Sequence, residues 1–249
     1  MKALRVLNRH LLVFSRTWRS NTMFNVVEPL LYLSALGYGL GAFVQEINGM
    51  SYIQFIAPGM IGLSAMYSAT FECTYGTFIR LYFEKTLQGM LAAPVTATDI
   101  VLGEILYGAI KSVLFGVIIL VVIAALGLVK STLALAVPLV LVPSGLVFAA
   151  LAVWYTTVVT NIDYLNYYIT MVILPFFLFG GLYFPVSTLP VWLQVANWAN
   201  PLYHTVEVCR ALVLGQLPSG LWLHVLALVV MAAVIFPFPL KRMEKKLLS

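Results

Sequence analysis

The sequence predicts an all-α polytopic membrane protein. It has six transmembrane helices, an N-terminal amphipathic interface helix and an outer re-entrant helical hairpin before the last span. Three observations predict this. Hydrophobic residues make up 62% of the chain and charged residues 9%, against about 25% charged in an ordinary soluble domain. The apolar residues gather into six runs near the roughly 20 residues a span needs. Lys and Arg cluster between alternate runs, as orientation in a membrane requires. So much of the 249 residues is committed to spans that no separate soluble catalytic domain is expected.

Residues 1–20 are expected to be a cytoplasmic interface helix and 21–247 the membrane domain. Leu4, Leu7, Leu11, Phe14 and Trp18 recur at helical spacing, with Arg5, Arg9, Arg16 and Arg19 largely off that stripe. A basic helix with such a face lies in the membrane interface; a plain basic lead-in to the first span is the alternative. The spread of these arginines does not read as a signal peptide.

The spans are expected at about 23–44, 53–79, 101–127, 133–158, 165–184 and 221–240. Pro29 falls in the first turns of the first, beside Glu28. Gly37 and Gly41 have the spacing of close helix approach, or else soften that helix end. Pro138 and Pro143 fall in the fourth span, where neighbouring helices re-satisfy freed carbonyls.

Orientation follows from the basic residues. Lys2, Arg5, Arg9, Arg16, Arg19, Arg80, Lys85, Lys241, Arg242, Lys245 and Lys246 fall on one side, with only Lys130 and Arg210 opposite. Both termini are therefore expected in the cytoplasm. Outside, Asn200-Pro201 starts a helix of about 201–214 that Gly215 stops. A shorter helix is expected at about 189–198. Together they form the hairpin, too short to cross.

Motifs for chemistry are sparse. Cys73 and Cys209 are far apart and read as buried hydrophobes. His10, His204 and His224 are scattered, so no metal trio is visible. Gly103 to Gly108 resembles a phosphate loop in outline, but Ala109-Ile110 stand where Lys-Ser/Thr belong. The net charge of +5 matches anionic lipid rather than nucleic acid. Ionisable residues within spans are the functional suspects. Glu72 is the deepest, either a gating or cargo contact or a helix–helix hydrogen bond. Glu104 and Lys111 share one helix face about 10 Å apart, so each is expected to meet a different neighbour.

Between the second and third spans lies a charged island, Glu84 to Asp99. Glu84, Lys85, Thr86, Leu87, Gln88, Met90 and Leu91 fit a short helix, and Ala93-Pro94 ends it. Thr98 or Asp99 is expected to cap the next helix. A plain connection would not expose Leu87, Met90 and Leu91, so the island reads as a docking surface.

The block Leu87 to Val95, followed by Asp99 to Glu104, resembles the signature between the second and third spans of type-2 ATP-binding-cassette (ABC) exporter permeases. Phe184-Pro185-Val186, Leu189 to Leu193, Asn200-Pro201-Leu202 and Glu207 to Arg210 are similar to that family's outer signature. Pro58-Gly59-Met60, Ser64-Ala65-Met66 and Ala69 to Glu72 resemble more closely the nodulation-factor (lipo-chitooligosaccharide) export permeases and related bacterial permeases.

The resemblance implies a bacterial inner-membrane permease subunit with no ATP site of its own. ATP and Mg would sit on two separate ABC ATPase subunits, and a second copy of the chain would complete the pathway. The island would be the coupling helix. The cargo would be amphipathic: a lipid-linked or acylated saccharide, or a hydrophobic drug. Tyr32, Tyr38, Tyr67, Phe71, Glu72, Tyr75, Phe176 and Phe177 would lie on its path or gate. The alternatives are an ATPase-independent secondary transporter or channel and, more remotely, a structural subunit of a membrane enzyme.

Overall fold

The computed structural model describes residues 2–44, 46–47 and 49–248; Met1, the first residue of the expected interface helix, lies outside them. Every regular element among the described residues is helical. Helix α1 spans Ala3–Ser34 and continues as a π-turn, Ala35–Gly39, and a 3-10 turn, Leu40–Ala42. It joins the expected interface helix and first span in one helix. Of the predicted stripe, Leu7 is buried, whereas Leu4 and Trp18 are about half exposed. The inward face is Ala3, Val6, Leu7 and His10, because α1 climbs along α4 (Ala97–Ala125). Val6 packs over Gly103 and His10 stacks on Tyr107.

Helix α2 spans Tyr52–Phe71 and runs on through two π-turns, Glu72–Gly76 and Ile79–Phe83. The short α3 (Thr86–Met90) then leads to α4. A 3-10 turn, Thr132–Ala136, opens α5 (Val137–Val158). Next come α6 (Leu165–Tyr168), a π-turn Ile169–Ile173 and α7 (Leu174–Phe179). The chain then forms α8 (Val191–Asn197) and α9 (Pro201–Leu214). The chain closes with α10 (Leu221–Ile235) and α11 (Pro237–Leu248).

Four stretches among the described residues are long and apolar enough to cross a membrane: Ala97–Ala125, Thr132–Val158, Ile162–Phe179 and Leu221–Leu247. They correspond to the last four expected spans.

Helices α4 and α5 form the centre. Gly108 faces Ala149, and Ser112 faces Gly145, so each helix offers a small residue four positions from another. In lipid, where water does not drive helices together, such small-residue seams let backbones approach and gain van der Waals contact. A methyl on Gly108 would lie 2.9 Å from Ala149 Cβ. Helix α2 covers the other side of α4, with Ile56, Met60, Ile61, Leu63 and Met66 fully buried.

The start of α9 has the predicted chemistry. Asn200 accepts from the Leu202 amide, Pro201 occupies the first turn, and Gly215 ends the helix at φ 75°, a conformation that suits glycine. Helix α9 is not peripheral. Leu202, Thr205, Val206, Cys209 and Val213 are buried, and Thr205 bonds Ser144 of α5 at 2.8 Å.

Candidate functional site: a charged island, a buried ionic cluster and an aromatic ladder

The island is ordered at both ends. Lys85 takes a left-handed turn, φ 52°, which reverses the chain out of the π-turn before it. The Gln88 side chain donates to the Leu81 carbonyl at 2.8 Å and holds α3 under the end of α2. The cap of α4 is Thr96, not Thr98 or Asp99. The Thr96 hydroxyl accepts from the Asp99 amide, and the Asp99 carboxylate accepts from the Thr96 amide. This reciprocal pair satisfies two otherwise unpaired helix donors. Thr96 is itself extended and the helix begins at Ala97, so the cap falls two or three residues earlier than predicted.

The face of α3 also differs from expectation. Leu87 is fully buried in the bundle core, and Met90 and Leu91 pack against the same core from its edge. Glu84, Lys85 and Gln88 are exposed, and Thr86, Met90 and Leu91 are half-buried. The surface on offer is therefore charged and polar with an apolar rim.

Directly behind the island lies a cluster of charges from three helices. Glu72 accepts from Arg80 Nη1 at 2.7 Å and from Lys111 Nζ at 2.8 Å. Glu104, fully buried, accepts from Arg80 Nη2 and the Thr77 hydroxyl, both at 2.6 Å. Its Oε1 meets Arg80 Nε at 3.2 Å and His10 Nε2 at 2.8 Å. Lys111 Nζ also lies 5.7 Å from the Phe14 ring and 5.8 Å from that of Tyr107. Two carboxylates and two cations balance. That balance makes burial tolerable, since an uncompensated charge in a membrane interior is expensive. Glu104 and Lys111 meet different partners, as their spacing demanded.

The bent end of α2 makes this cluster possible. Glu72 and Arg80 are eight apart and would diverge on a regular α-helix. A π-turn holds one extra residue per turn, so the Glu72–Gly76 turn carries Arg80 back onto the face of Glu72. Arg80 therefore points inward and is only 14% exposed, although its position in the sequence reads as a cytoplasmic flank.

On the other side of α2 the aromatic residues form a ladder. Tyr32 meets Phe177 at 5.6 Å between ring centroids, Phe177 meets Tyr67 at 6.1 Å, and Tyr67 meets Phe71 at 5.6 Å. Phe71 stacks on Tyr75 at 6.1 Å, and the Tyr75 hydroxyl donates to Asn166 at 2.7 Å. Tyr183 adds an edge-on contact to Phe177. Five of the predicted path residues are thus contiguous across α1, α2 and α7. Glu72 is turned away into the ionic cluster. Tyr38 is 69% exposed and borders a separate apolar groove with Val27, Leu31 and Val122. Phe176 is half-buried, and its carbonyl accepts from the Asn200 side chain.

Asn197 and Asn200 clip the α8–α9 region onto α7, beside the ladder. Asn197 donates to the Phe179 carbonyl at 2.7 Å, beside the Asn200 bond to Phe176. Arg210 holds Glu207 at 2.6 Å, the Gly181 carbonyl at 2.7 Å and the Phe55 carbonyl at 3.2 Å. These bonds tie α9 to α2 and to the turn after α7. Gly103 to Gly108 lie within the unbroken helix α4, so their amides are not free to cradle a phosphate.

A helical bundle with several membrane-length helices defines a multi-pass membrane protein. Residues 2–214 match the family described as ABC-2 type transporter, and the chain belongs to that family. It is similar to nodulation protein J of Rhizobium meliloti strain 1021, 38% identical over 232 residues, covering 93% of this chain and 88% of that protein. Nodulation protein J of Sinorhizobium fredii is 34% identical over 244 residues, 98% of this chain and 93% of that protein. The inner membrane transport permease YadH of Escherichia coli K12 is 24% identical over 202 residues, 81% of this chain and 78% of that protein.

His10, Thr77, Arg80 and Tyr183 are the site residues that sequence reasoning missed. The signal for Arg80 was its position eight residues after a deep glutamate, which pairs only if the helix carries a π-turn.

Proposed function

We propose that the chain is the permease subunit of an ATP-driven exporter in a bacterial inner membrane. It works with a second copy of itself and two ABC ATPase subunits, which hold ATP and Mg. Six spans cross the membrane, α1 and α2 supplying the first two, with both termini and the island in the cytoplasm. Residues 1–20 lead in as the interface helix, and α8 and α9 dip back into the outer leaflet as an exit gate. The packing of α2 along the membrane-length α4, with Ile61 against Gly116, supports counting α2 as a span.

One observation carries the mechanism: Arg80, four residues before Glu84, bonds both Glu72 and Glu104. A push on Glu84, Lys85, Thr86, Gln88, Met90 or Leu91 reaches α2 and α4 through that guanidinium, and α1 through His10. Leu87 is the buried pivot. Coupling of this kind needs an element held differently in two states, and the π-turns Glu72–Gly76 and Ile79–Phe83, the second of which carries Arg80, are the joint that changes. The cargo is amphipathic, a lipid-linked or acylated saccharide or a hydrophobic drug. Tyr32, Tyr67, Phe71, Tyr75 and Phe177 present ring faces to it, and their phenols accept or donate hydrogen bonds. Tyr38 and Phe176 flank this path, and Glu72 links it to the joint.

The test compares amphipathic species in the envelope and medium of cells with and without the gene. The reading expects one species to move outward only with the wild-type gene and a working ATPase. Unchanged profiles, or export that persists in vesicles without ATP, would refute it.

A further inference from the structure

Helix α11 carries its charge on one side. Phe238, Lys241, Arg242 and Lys245 follow the spacing of a single helical face, and Lys246 borders it. Met243 and Leu247 are buried on the other side, and the exposed Glu244 lies outside the basic stripe. The stripe faces the end of α5. Between the two is a cavity of about 580 Å³, lined by those five residues with Trp154 and Thr157. Lys246 anchors one wall. Its Nζ donates to the Thr157 carbonyl at 3.2 Å and lies 4.9 Å from the Tyr82 ring centre. Among the described residues, Lys241, Arg242 and Lys245 enter no ion pair.

Three unneutralised cations around a cavity call for an anion, and the surroundings say which kind. The cavity opens toward bare apolar surface. In α10 only Leu228 is buried, while Leu226, Val229, Val230 and Val234 are each about half exposed, and Phe238 stands 55% exposed at the lip. A soluble anion makes no use of that surface, and acyl chains do. The guanidinium fork and two ammonium groups suit phosphate oxygens, and an indole suits the headgroup level. Basic pockets between helices at a membrane face are the chemistry of anionic phospholipid headgroups.

We propose that the groove between α11 and the end of α5 binds an anionic phospholipid. Lys241, Arg242 and Lys245 hold its phosphate, and its acyl chains lie along α10. The groove is at the island's end of the bundle: Tyr82, under Lys246, donates to the Val159 carbonyl at 2.7 Å, only two residues before Glu84. A bound lipid therefore braces the root of the coupling segment. Its assignment to the cytoplasmic leaflet rests on the orientation proposed above, but the binding itself does not.

The full chain, purified in detergent, is titrated with phosphatidylglycerol and with phosphatidylcholine of the same tails, and bound lipid is counted by native mass spectrometry. Wild type is expected to favour phosphatidylglycerol at least about tenfold, as three cations near a headgroup imply. The variant K241Q/R242Q/K245Q is expected to bring the two lipids within about twofold. R5Q/R16Q/R19Q, which removes three exposed cations from α1, is expected to keep the preference. On unmodified chain, phosphatidylglycerol with brominated tails should quench the fluorescence that W154F removes, and brominated phosphatidylcholine should not. Equal binding of the two lipids by wild type, equal loss in both triple variants, or full displacement by inorganic phosphate alone would overturn the proposal.

Discussion

Replacing Arg80 by alanine removes four bonds at once: 2.7 Å to Glu72, 2.6 and 3.2 Å to Glu104, and 3.3 Å to the Thr77 hydroxyl. Two carboxylates then face one lysine. Lys111 still neutralises Glu72, but Glu104, fully buried, keeps only His10 and Thr77. Breaking a buried pair by removing one partner costs about 3–5 kcal/mol. At roughly 2–4 °C per kcal/mol for a chain of this length, the melting temperature falls on the order of 10 °C. E104L is expected to cost a similar amount, because it leaves two cations for Glu72. The double variant R80M/E104L restores charge balance and is expected within about 1–2 kcal/mol of wild type, since apolar replacement of a buried pair is near neutral. Thermal unfolding of the purified chain in detergent, followed by tryptophan fluorescence, reads R80A and the four corners of the cycle: wild type, R80M, E104L and R80M/E104L. The reasoning is refuted if R80A melts within about 2 °C of wild type, or if the double variant falls by the sum of the singles.

Further outcomes follow from the same geometry. Enlarging Gly108 to valine drives a side chain into Cys73 and Ala149 and should destabilise by about 1–3 kcal/mol, read in the same melts, whereas a valine at the open Gly89 should cost far less. Asn200→Ala loses the cap on α9 and the bond to the Phe176 carbonyl. A loss of about 1–2 kcal/mol is expected, with hydrogen exchange rising first at Leu202 and Tyr203. Thr96→Ala removes half of the reciprocal cap on α4 and should speed amide exchange at Asp99 and Ile100 about fivefold, with Ile119 and Ile123 unchanged. Phe177→Ala cuts the ladder at the ring that meets Tyr32, Tyr67 and Tyr183. Loss of export with normal assembly is expected; export at the wild-type rate would remove Phe177 from the cargo path.

Much of the fold is legible in local chemistry. Asn200, Pro201 and Gly215 bound α9 as written, because caps and breakers act on neighbouring backbone. The apolar runs after Ala97 become the long helices, because length and hydropathy suffice there. The cap of α4 was misplaced by two or three residues, because Thr96 and Thr98 offer the same hydroxyl and only the chain path after Pro94 chooses between them. The face of α3 was misread because exposure depends on what lies above a short helix, and Leu81 and the core lie above Leu87. The ionic cluster was half legible. Glu72, Glu104 and Lys111 announced themselves by their cost in lipid, but their joint partner, Arg80, is revealed only by a π-turn that has no sequence signature of its own. The ladder was legible in its members and not in its order, since Tyr32, Tyr67 and Phe177 lie on three separate helices.

Co-purification decides whether Glu84 to Leu91 is the contact with an ATPase subunit, as proposed above. The chain is to be captured from its native membrane, and its stoichiometric partners identified, beside the charge-reversed variant E84R/K85E. The account predicts a nucleotide-hydrolysing subunit with the wild type and its loss from the variant, with the variant's melting temperature unchanged because both side chains are exposed. A wild-type chain that brings down no such subunit, or a variant that retains it in full, would contradict the account.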